Sequence, residues 1–286
     1  MGACVEGYKP VPGIAIHDAA CKGNTEEFQT ALKDADLFAT ADNGDNILHC
    51  IIRGKNIDIL NELIAKFKDN QYAGLKKLAN TYKKEGLTSL QLALTIKKKN
   101  LEFVKRLVPI SDTKKAAGAQ QYSQTALHLA AVEADIDIIR QLLPSKGVKA
   151  FINQQDDRGQ TALHITAGSN LKALDIVQLF IEQGGGGPRK HRSRSRTSEE
   201  KEQKWENTMI EDDSKKIPLH CAAYAHYHEI CKLLLQYDDK GNTLQKQDNE
   251  FNNPIRAAIY VKGFIKRIKR AVINKFVCYL PSRNQL

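Results

Sequence analysis

One short pattern recurs along this chain, and its recurrence limits the fold more than any other feature. The stretches IAIHDAA (14–20), NILHCII (46–52), TSLQLAL (88–94), TALHLAA (125–131), TALHITA (161–167) and IPLHCAA (217–223) align, with NPIRAAI (253–259) as a weaker seventh. Their fourth residues fall at 17, 49, 91, 128, 164, 220 and 256, so the gaps are 32, 42, 37, 36, 56 and 36 residues. Self-similarity at a period of about 20–50 residues marks a chain built from small stacked units rather than around one globular core.

Each copy is followed by a second apolar run, such as IDILNELI (57–64), LEFVKRLV (101–108), IDIIRQLL (136–143), LDIVQLFI (174–181) and HEICKLLL (228–235). Their spacing places a wide apolar stripe on one side of a helix. Turn-forming clusters, ADNGD (41–45) and QDDRG (155–159), separate the units. Each unit is therefore predicted to be a turn plus two antiparallel helices. Such a unit cannot bury its stripe alone, and stacking on its neighbours completes the core.

These residues resemble the ankyrin-repeat family, whose signature T-P-L-H-x-A recurs about every 33 residues. TALHLAAVEADIDIIRQLL (125–143) and IPLHCAAYAHYHEICKLLL (217–235) align with the family's helix pair position by position. The resemblance covers residues 14 to 275 apart from one insertion. It implies an all-α ankyrin-repeat solenoid of about six or seven helix-turn-helix units joined by short β-turn or hairpin loops. The expected organisation is an N-terminal extension (1–13), repeats one to five (14–183), a Gly/Arg/Ser-rich and charged insertion, largely disordered (184–216), repeats six and seven with a basic capping helix (217–280), and a tail (281–286). The stretch 65–85, with its aromatic and leucine residues among lysines, is expected to add a longer helix or an extra helical turn.

The repeated histidine invites a catalytic reading, which requires a nucleophile or an orienting carboxylate beside it. The only systematic companions are Thr125 and Thr161. The resemblance implies a structural role instead: Thr opens the helix as an N-cap, and His bonds to it and to the backbone of a neighbouring unit. His17, His49, Thr125, His128, Thr161, His164 and His220 are assigned to this motif, with Gln91 taking the place of His in repeat three. HYHE (226–229) falls on the reversal between helices and lacks a third ligand at suitable spacing. No phosphate-loop, nucleophile-elbow, zincin or dinucleotide-binding motif occurs. No catalytic residue, cofactor or metal is therefore expected, and the chain is read as a non-enzyme.

The net charge of +10 is local. From Phe251 onward there are eight Lys or Arg and no acid, and residues 189–196 (RKHRSRSR) add five more. Without these two stretches the chain is slightly acidic. The 189–196 segment suits nuclear import or nucleic-acid attraction, and Ser193 and Ser195 within it and Ser198 just after it are candidate phosphorylation sites. The stretch 261–282 is amphipathic and basic; it suits an anionic membrane or a cap on the last repeat. Six cysteines without C-x-x-C spacing read as free thiols in a reducing compartment. No secretory h-region and no run of about 18 apolar residues occurs. A cytoplasmic monomer is the expectation, with the nucleus reachable through Arg189–Arg196. The lengthened repeats and lysine-rich composition also resemble ankyrin proteins that intracellular bacteria deliver into host-cell cytoplasm; a eukaryotic scaffold is the alternative.

The function expected from the resemblance is protein–protein interaction on the concave surface, through turn tips and exposed first-helix positions. Matching those positions gives Asp42, Asn43, Asp45 and Arg53 in repeat two, and Gln121, Tyr122, Gln124, Val132 and Glu133 in repeat four. Asp157, Arg158, Gln160 and Ser169 follow in repeat five, and Tyr224 and Ala225 in repeat six. Tyr122, Arg158 and Tyr224 are the expected hot spots, because Tyr and Arg carry disproportionate binding energy. The alternative is an electrostatic adaptor that uses the 189–196 loop and the 261–280 helix on anionic membrane or nucleic acid.

Overall fold

In a computed structural model of the chain, every regular element among the described residues is helical. Those residues are 15–41, 44–68, 72–83, 86–96, 101–118, 123–143, 151–169, 173–184, 206–238 and 242–260. The seven aligned stretches open the helices Ala15–Lys22, Ile47–Gly54, Ser89–Thr95, Ala126–Glu133, Ala162–Ser169, Pro218–Tyr224 and Pro254–Tyr260. The first six are followed by Thr25–Ala31, Ile57–Lys66, Leu101–Leu107, Ile136–Leu142, Leu174–Gly184 and His228–Gln236. No helix among the described residues is long and apolar enough to cross a membrane.

The reversal between paired helices has a recurring chemistry. Gly23, Lys55, Ala134 and His226 adopt the left-handed conformation, with φ of 69°, 55°, 51° and 60°. In three of the four, the next residue caps the second helix. Asn24 accepts from the Glu26 and Glu27 N–H groups, Asn56 from Asp58 and Ile59, and Asp135 from Asp137 and Ile138. Each cap supplies an acceptor that a helix start otherwise lacks, a contribution of about 1 kcal/mol. The Asn56 amide also donates to the Gly23 carbonyl at 2.9 Å, which ties one reversal to the preceding one. Gly23 is required there twice over: its φ is positive, and a Cβ would meet the Gly54 carbonyl oxygen at 2.9 Å.

The chain divides into two compact units, Met1–Leu129 with Arg140–Leu142 and Ala130–Ile139 with Leu143–Leu286. In the first, Ile47–Gly54 packs between Ala15–Lys22 and Ser89–Thr95 and against its own partner helix. That position explains why six consecutive residues, Ile47 to Ile52, are all buried: neighbours cover every side. The core continues through Ile59, Leu60, Leu63, Leu75, Leu90 and Val104. In the second unit, Ala162–Ser169 packs on Pro218–Tyr224, which packs on Pro254–Tyr260. Leu163, Val177, Phe180, Leu219, Ala222 and Ile230 fill the space between. Each large side chain contributes about 1.5–3 kcal/mol by leaving water.

Two departures from a plain repeat are resolved. The stretch after the second helix of repeat two adds a separate helix, Ala73–Ala79, entered through Tyr72 at φ 61°. The insertion rejoins the fold earlier than residue 217, the expected start of repeat six. Asn207 and Thr208 are buried, and the Asn207 amide donates to the Phe180 carbonyl at 2.8 Å. Asp212 then anchors the turn that opens repeat six. The low apolar content that suggested disorder misses this polar anchorage.

Candidate functional site

The motif residues form a chain of fasteners. In repeat five, Nδ1 of His164 accepts from the Thr161 backbone N–H at 3.1 Å and faces its hydroxyl at 2.8 Å; Nε2 faces the Lys216 carbonyl at 3.0 Å. In repeat six, Nδ1 of His220 accepts from the Ile217 N–H at 3.2 Å, and Nε2 faces the Asn252 carbonyl at 3.0 Å. His49 repeats this with the Asn46 N–H at 3.1 Å and the Leu87 carbonyl at 3.3 Å. Nδ1 meets donors and Nε2 meets an acceptor, so each ring is the neutral tautomer with its hydrogen on Nε2. Burial lowers the pKa of His164 and His220, and takes His49 to about 4. A buried imidazole fixed this way has neither a free base nor an exposed acid to offer.

The substitutions along the series follow the same rule. Gln91 takes the Thr88 N–H on its oxygen at 2.8 Å and donates to the Lys115 carbonyl at 2.8 Å, so an amide does the work of the ring. Asn46 stands where the motif expects Thr; it accepts the His49 N–H at 3.2 Å and donates to the Leu78 carbonyl at 2.8 Å. Thr125 and Thr161 differ from the expected cap in one respect. Their hydroxyls face the imidazole Nδ1 of His128 and His164, at 2.7 and 2.8 Å, and so orient the ring. His17 is buried without a well-formed bond at either nitrogen among the described residues.

The surface that these fasteners position is a set of tight turns. In repeats five, six and seven an aspartate stands eight residues before the motif position: Asp156, Asp212 and Asp248. Each carboxylate accepts the N–H groups two and four residues on, at 2.8–2.9 Å, and each backbone N–H closes the turn on the carbonyl four residues on, at 2.9–3.0 Å. Neighbouring turns are also bonded to one another. The Asp213 N–H donates to the Arg158 carbonyl at 3.0 Å, and the Asn249 N–H to the Ser214 carbonyl at 2.9 Å. Three turns of the second unit thus share one backbone network that leaves Asp157, Arg158, Asp213, Lys215, Glu250 and Phe251 exposed. Gly159 lies at the joint; a Cβ there would meet the Asp213 nitrogen at 2.7 Å. The corresponding positions in the next two turns carry Lys215 and Phe251, at φ 57° and 61°. Phe251 is 72% exposed, a bulky apolar side chain that meets neither a packing need nor a backbone preference.

The residues matched to the family's contact positions separate on this structure. Asp157, Arg158 and Ser169 are exposed, as are Val132 and Glu133. Ala225, Gln124 and Gln160 are half-buried, and Gln160 reaches Asp212 at 3.4 Å. Asp45 is a correction to the expected exposure: it is 1% exposed, and its carboxylate holds the half-buried Arg53 at 3.0 Å. Tyr224 is likewise half-buried. Its hydroxyl donates to Asp248 at 2.6 Å and accepts from Asn252 at 3.1 Å, and burial and the Asp248 bond push its pKa up to about 12. Asp42, Asn43, Gln121 and Tyr122 lie outside the described residues, as do Ser193, Ser195, Ser198, the 189–196 segment and the 261–280 helix. Lys215 and Phe251 were not singled out by sequence reasoning. The signal was there, in the aspartate eight residues ahead of each motif position with a non-glycine three residues after it.

Comparison with known proteins agrees with the repeat geometry. The family model for ankyrin repeats in three copies matches residues 71–156, 92–193 and 135–246. NF-kappa-B inhibitor zeta of Homo sapiens is 30% identical over 179 residues, which cover 59% of this chain and 22% of that protein. The NF-kappa-B p105 subunit of Gallus gallus is 28% identical over 148 residues, covering 50% of this chain and 14% of that one. This chain therefore spans less than a quarter of the length of these curated relatives. Among solved structures, one chain of the complex between a predatory endopeptidase of Bdellovibrio bacteriovorus and an immunity protein superposes with a TM-score of 0.58. It is 18% identical and covers 79% of this chain and 99% of its own, a likeness of fold.

Proposed function

Because the chain belongs to the ankyrin-repeat family, we propose that it is a non-enzymatic scaffold that binds a partner protein through the turn tips and exposed first-helix positions of its second unit. One observation carries this reading. Asp157, Arg158, Lys215, Glu250 and Phe251 project from turns whose backbones are bonded to each other, so their spacing is fixed before any partner arrives. A pre-ordered surface loses little entropy on association. Arg158 and Phe251 are the side-chain types able to act as anchors, one by forked hydrogen bonding and one by burial of a whole ring. The names of the curated relatives give the partner class to examine first, a subunit of the NF-kappa-B transcription factors.

The test is direct binding of the full chain to purified NF-kappa-B subunits, read by calorimetry at physiological salt, with wild type beside Arg158→Ala/Phe251→Ala. A loss of at least tenfold in affinity, about 1.4 kcal/mol, with an unchanged circular dichroism spectrum and thermal midpoint supports the surface. Equal affinity of the two folded chains rejects it. Absence of binding by wild type rejects the partner class.

A further inference from the structure

Two thiols lie on facing helices of the first unit, and neither is among the residues of the proposed partner surface. Cys21 is four residues past His17 in the first helix of repeat one, and Cys50 is one residue past His49 in the first helix of repeat two. These helices pack so closely that a Cβ on Gly54 would fall 2.0 Å from the Ala20 carbonyl oxygen and 3.1 Å from that of Cys21. The Cys21 thiol is near enough to Cys50 to be the first cause that raises the Cys50 thiol. Repeat geometry gives the spacing independently. In repeats five and six the same two positions are Gly168 and Cys221, and a Cβ built on Gly168 falls 3.3 Å from Cβ of Cys221. Disulfides span Cβ–Cβ distances of about 3.5–4.5 Å. Carried over to Cys21 and Cys50, the same register would set their Cβ atoms within a few tenths of an ångström of that range.

We propose that Cys21 and Cys50 are a reversible oxidation site, forming a disulfide that staples repeat one to repeat two when the chain meets a peroxide. Cys21 meets the oxidant first, being 9% exposed against 1% for Cys50. Its thiolate attacks one peroxide oxygen, the O–O bond breaks, and the departing hydroxide takes up a proton and leaves as water. Cys21 is now a sulfenic acid. The Cys50 sulfur attacks the Cys21 sulfur, the S–O bond breaks, and a second water leaves with the Cys50 proton. Two thiols have been oxidised and one peroxide reduced to two waters. The Cys21 thiol and burial push the Cys50 thiol upward, so Cys50 is the resolving sulfur rather than the one that meets the peroxide. Burial pushes Cys231 and Cys221 up to about 12, and the place across from Cys221 that matches Cys21 is filled by Gly168. That interface has a thiol but no partner for it.

The full chain is exposed to hydrogen peroxide without denaturant, alkylated, digested without reduction and analysed by mass spectrometry. The expected product is a Cys21–Cys50 linked peptide that disappears on treatment with dithiothreitol, accompanied by a rise in thermal midpoint that reduction reverses. Cys21→Ala abolishes both signals. Gly168→Cys in an otherwise wild-type chain acquires a second linked peptide, to Cys221, and so reads the register without disturbing the first pair. The proposal is overturned if Cys21 proceeds to sulfinic or sulfonic acid while Cys50 is recovered alkylated. It is equally overturned if both are recovered as thiols, or if the linked peptides join Cys21 or Cys50 to any other cysteine.

Discussion

A histidine with its hydrogen fixed on Nε2 and its Nδ1 lone pair occupied by a backbone donor is a two-ended connector, and protonation destroys one end. His49 shows the consequence. Burial, with a smaller push from Lys83 and Arg53 in the same direction, holds its pKa at about 4 against the pull of Asp45 and the Leu87 carbonyl toward protonation. The unfolded imidazole binds its proton near pH 6.5, so the unfolded chain holds more protons than the folded one between those values. Stability is therefore complete above about 6.5 and is lost as the pH falls toward 4, on the order of 3 kcal/mol for this residue. Gln91 shows how to test this, since an amide makes the same bonds without titrating. His49→Gln should reduce the difference between urea midpoints at pH 7 and pH 4.5, leaving the part that His164 and His220 contribute, while changing the pH 7 midpoint little. An unaltered slope would place the acid sensitivity elsewhere. The connector role of the repeated imidazole is one that the family resemblance implies, on residues legible in the sequence: the period of the histidine and the Thr companions Thr125 and Thr161. Its acceptor was not legible there. The Lys216 carbonyl lies 52 residues from His164, and only the docking of residues 206–216 brings it there.

The turns are the elements where local preference and observed conformation disagree most. Gly44, Gly86 and Gly159 occupy the left-handed position in their turns, but Lys215 and Phe251 hold it in the last two. A non-glycine there carries a penalty of about 1–2 kcal/mol, offset in part by the freedom glycine loses on folding. Lys215→Gly is expected to raise stability by about 0.5–1 kcal/mol, measured as a higher denaturant midpoint with the same slope. Gly159→Ala is expected to act in the opposite sense and more strongly, because its Cβ would press on both the Asp213 nitrogen and its carboxylate oxygen at 2.7 Å. A loss of more than about 1 kcal/mol is the expected reading; a neutral result would mean that the turns are not tied together as described. QDDRG announced a turn from its composition alone. The sequence could not announce that the turn's Arg158 carbonyl receives the Asp213 N–H, since backbone groups carry no residue-specific signal. The same limit applies to Asp45: exposed by alignment, it is buried, and Arg53 reaches it from the far end of the following helix.

In the whole molecule, stability should be distributed by neighbourhood, because each helix pair buries its stripe mainly against the pairs beside it. His220 tests this within the second unit. Its ring joins the Ile217 N–H of its own repeat to the Asn252 carbonyl of the next, and His220→Ala leaves both groups without that partner. The buried Ile217 N–H loses its acceptor, while the half-buried Asn252 carbonyl keeps the Asp248 N–H, so the cost is about 1–3 kcal/mol. In a single cooperative globule that loss would appear equally at every protected amide, since all would exchange through the same global opening. In a chain of nearest-neighbour interfaces it should be local. Amides in Pro218–Tyr224 and Pro254–Tyr260 are expected to exchange tens of times faster. Those in Ile47–Gly54, whose fastener is His49, should keep their wild-type rates. Exchange monitored by mass spectrometry on the intact folded chain separates the two patterns. Uniform acceleration across both units would show one cooperative block, and the period of the motif would then describe ancestry rather than mechanics. Confinement to the second unit would make the repeat the unit of stability as well as of sequence, so that partner-facing turns could vary without loosening the helices that the first unit's histidines hold.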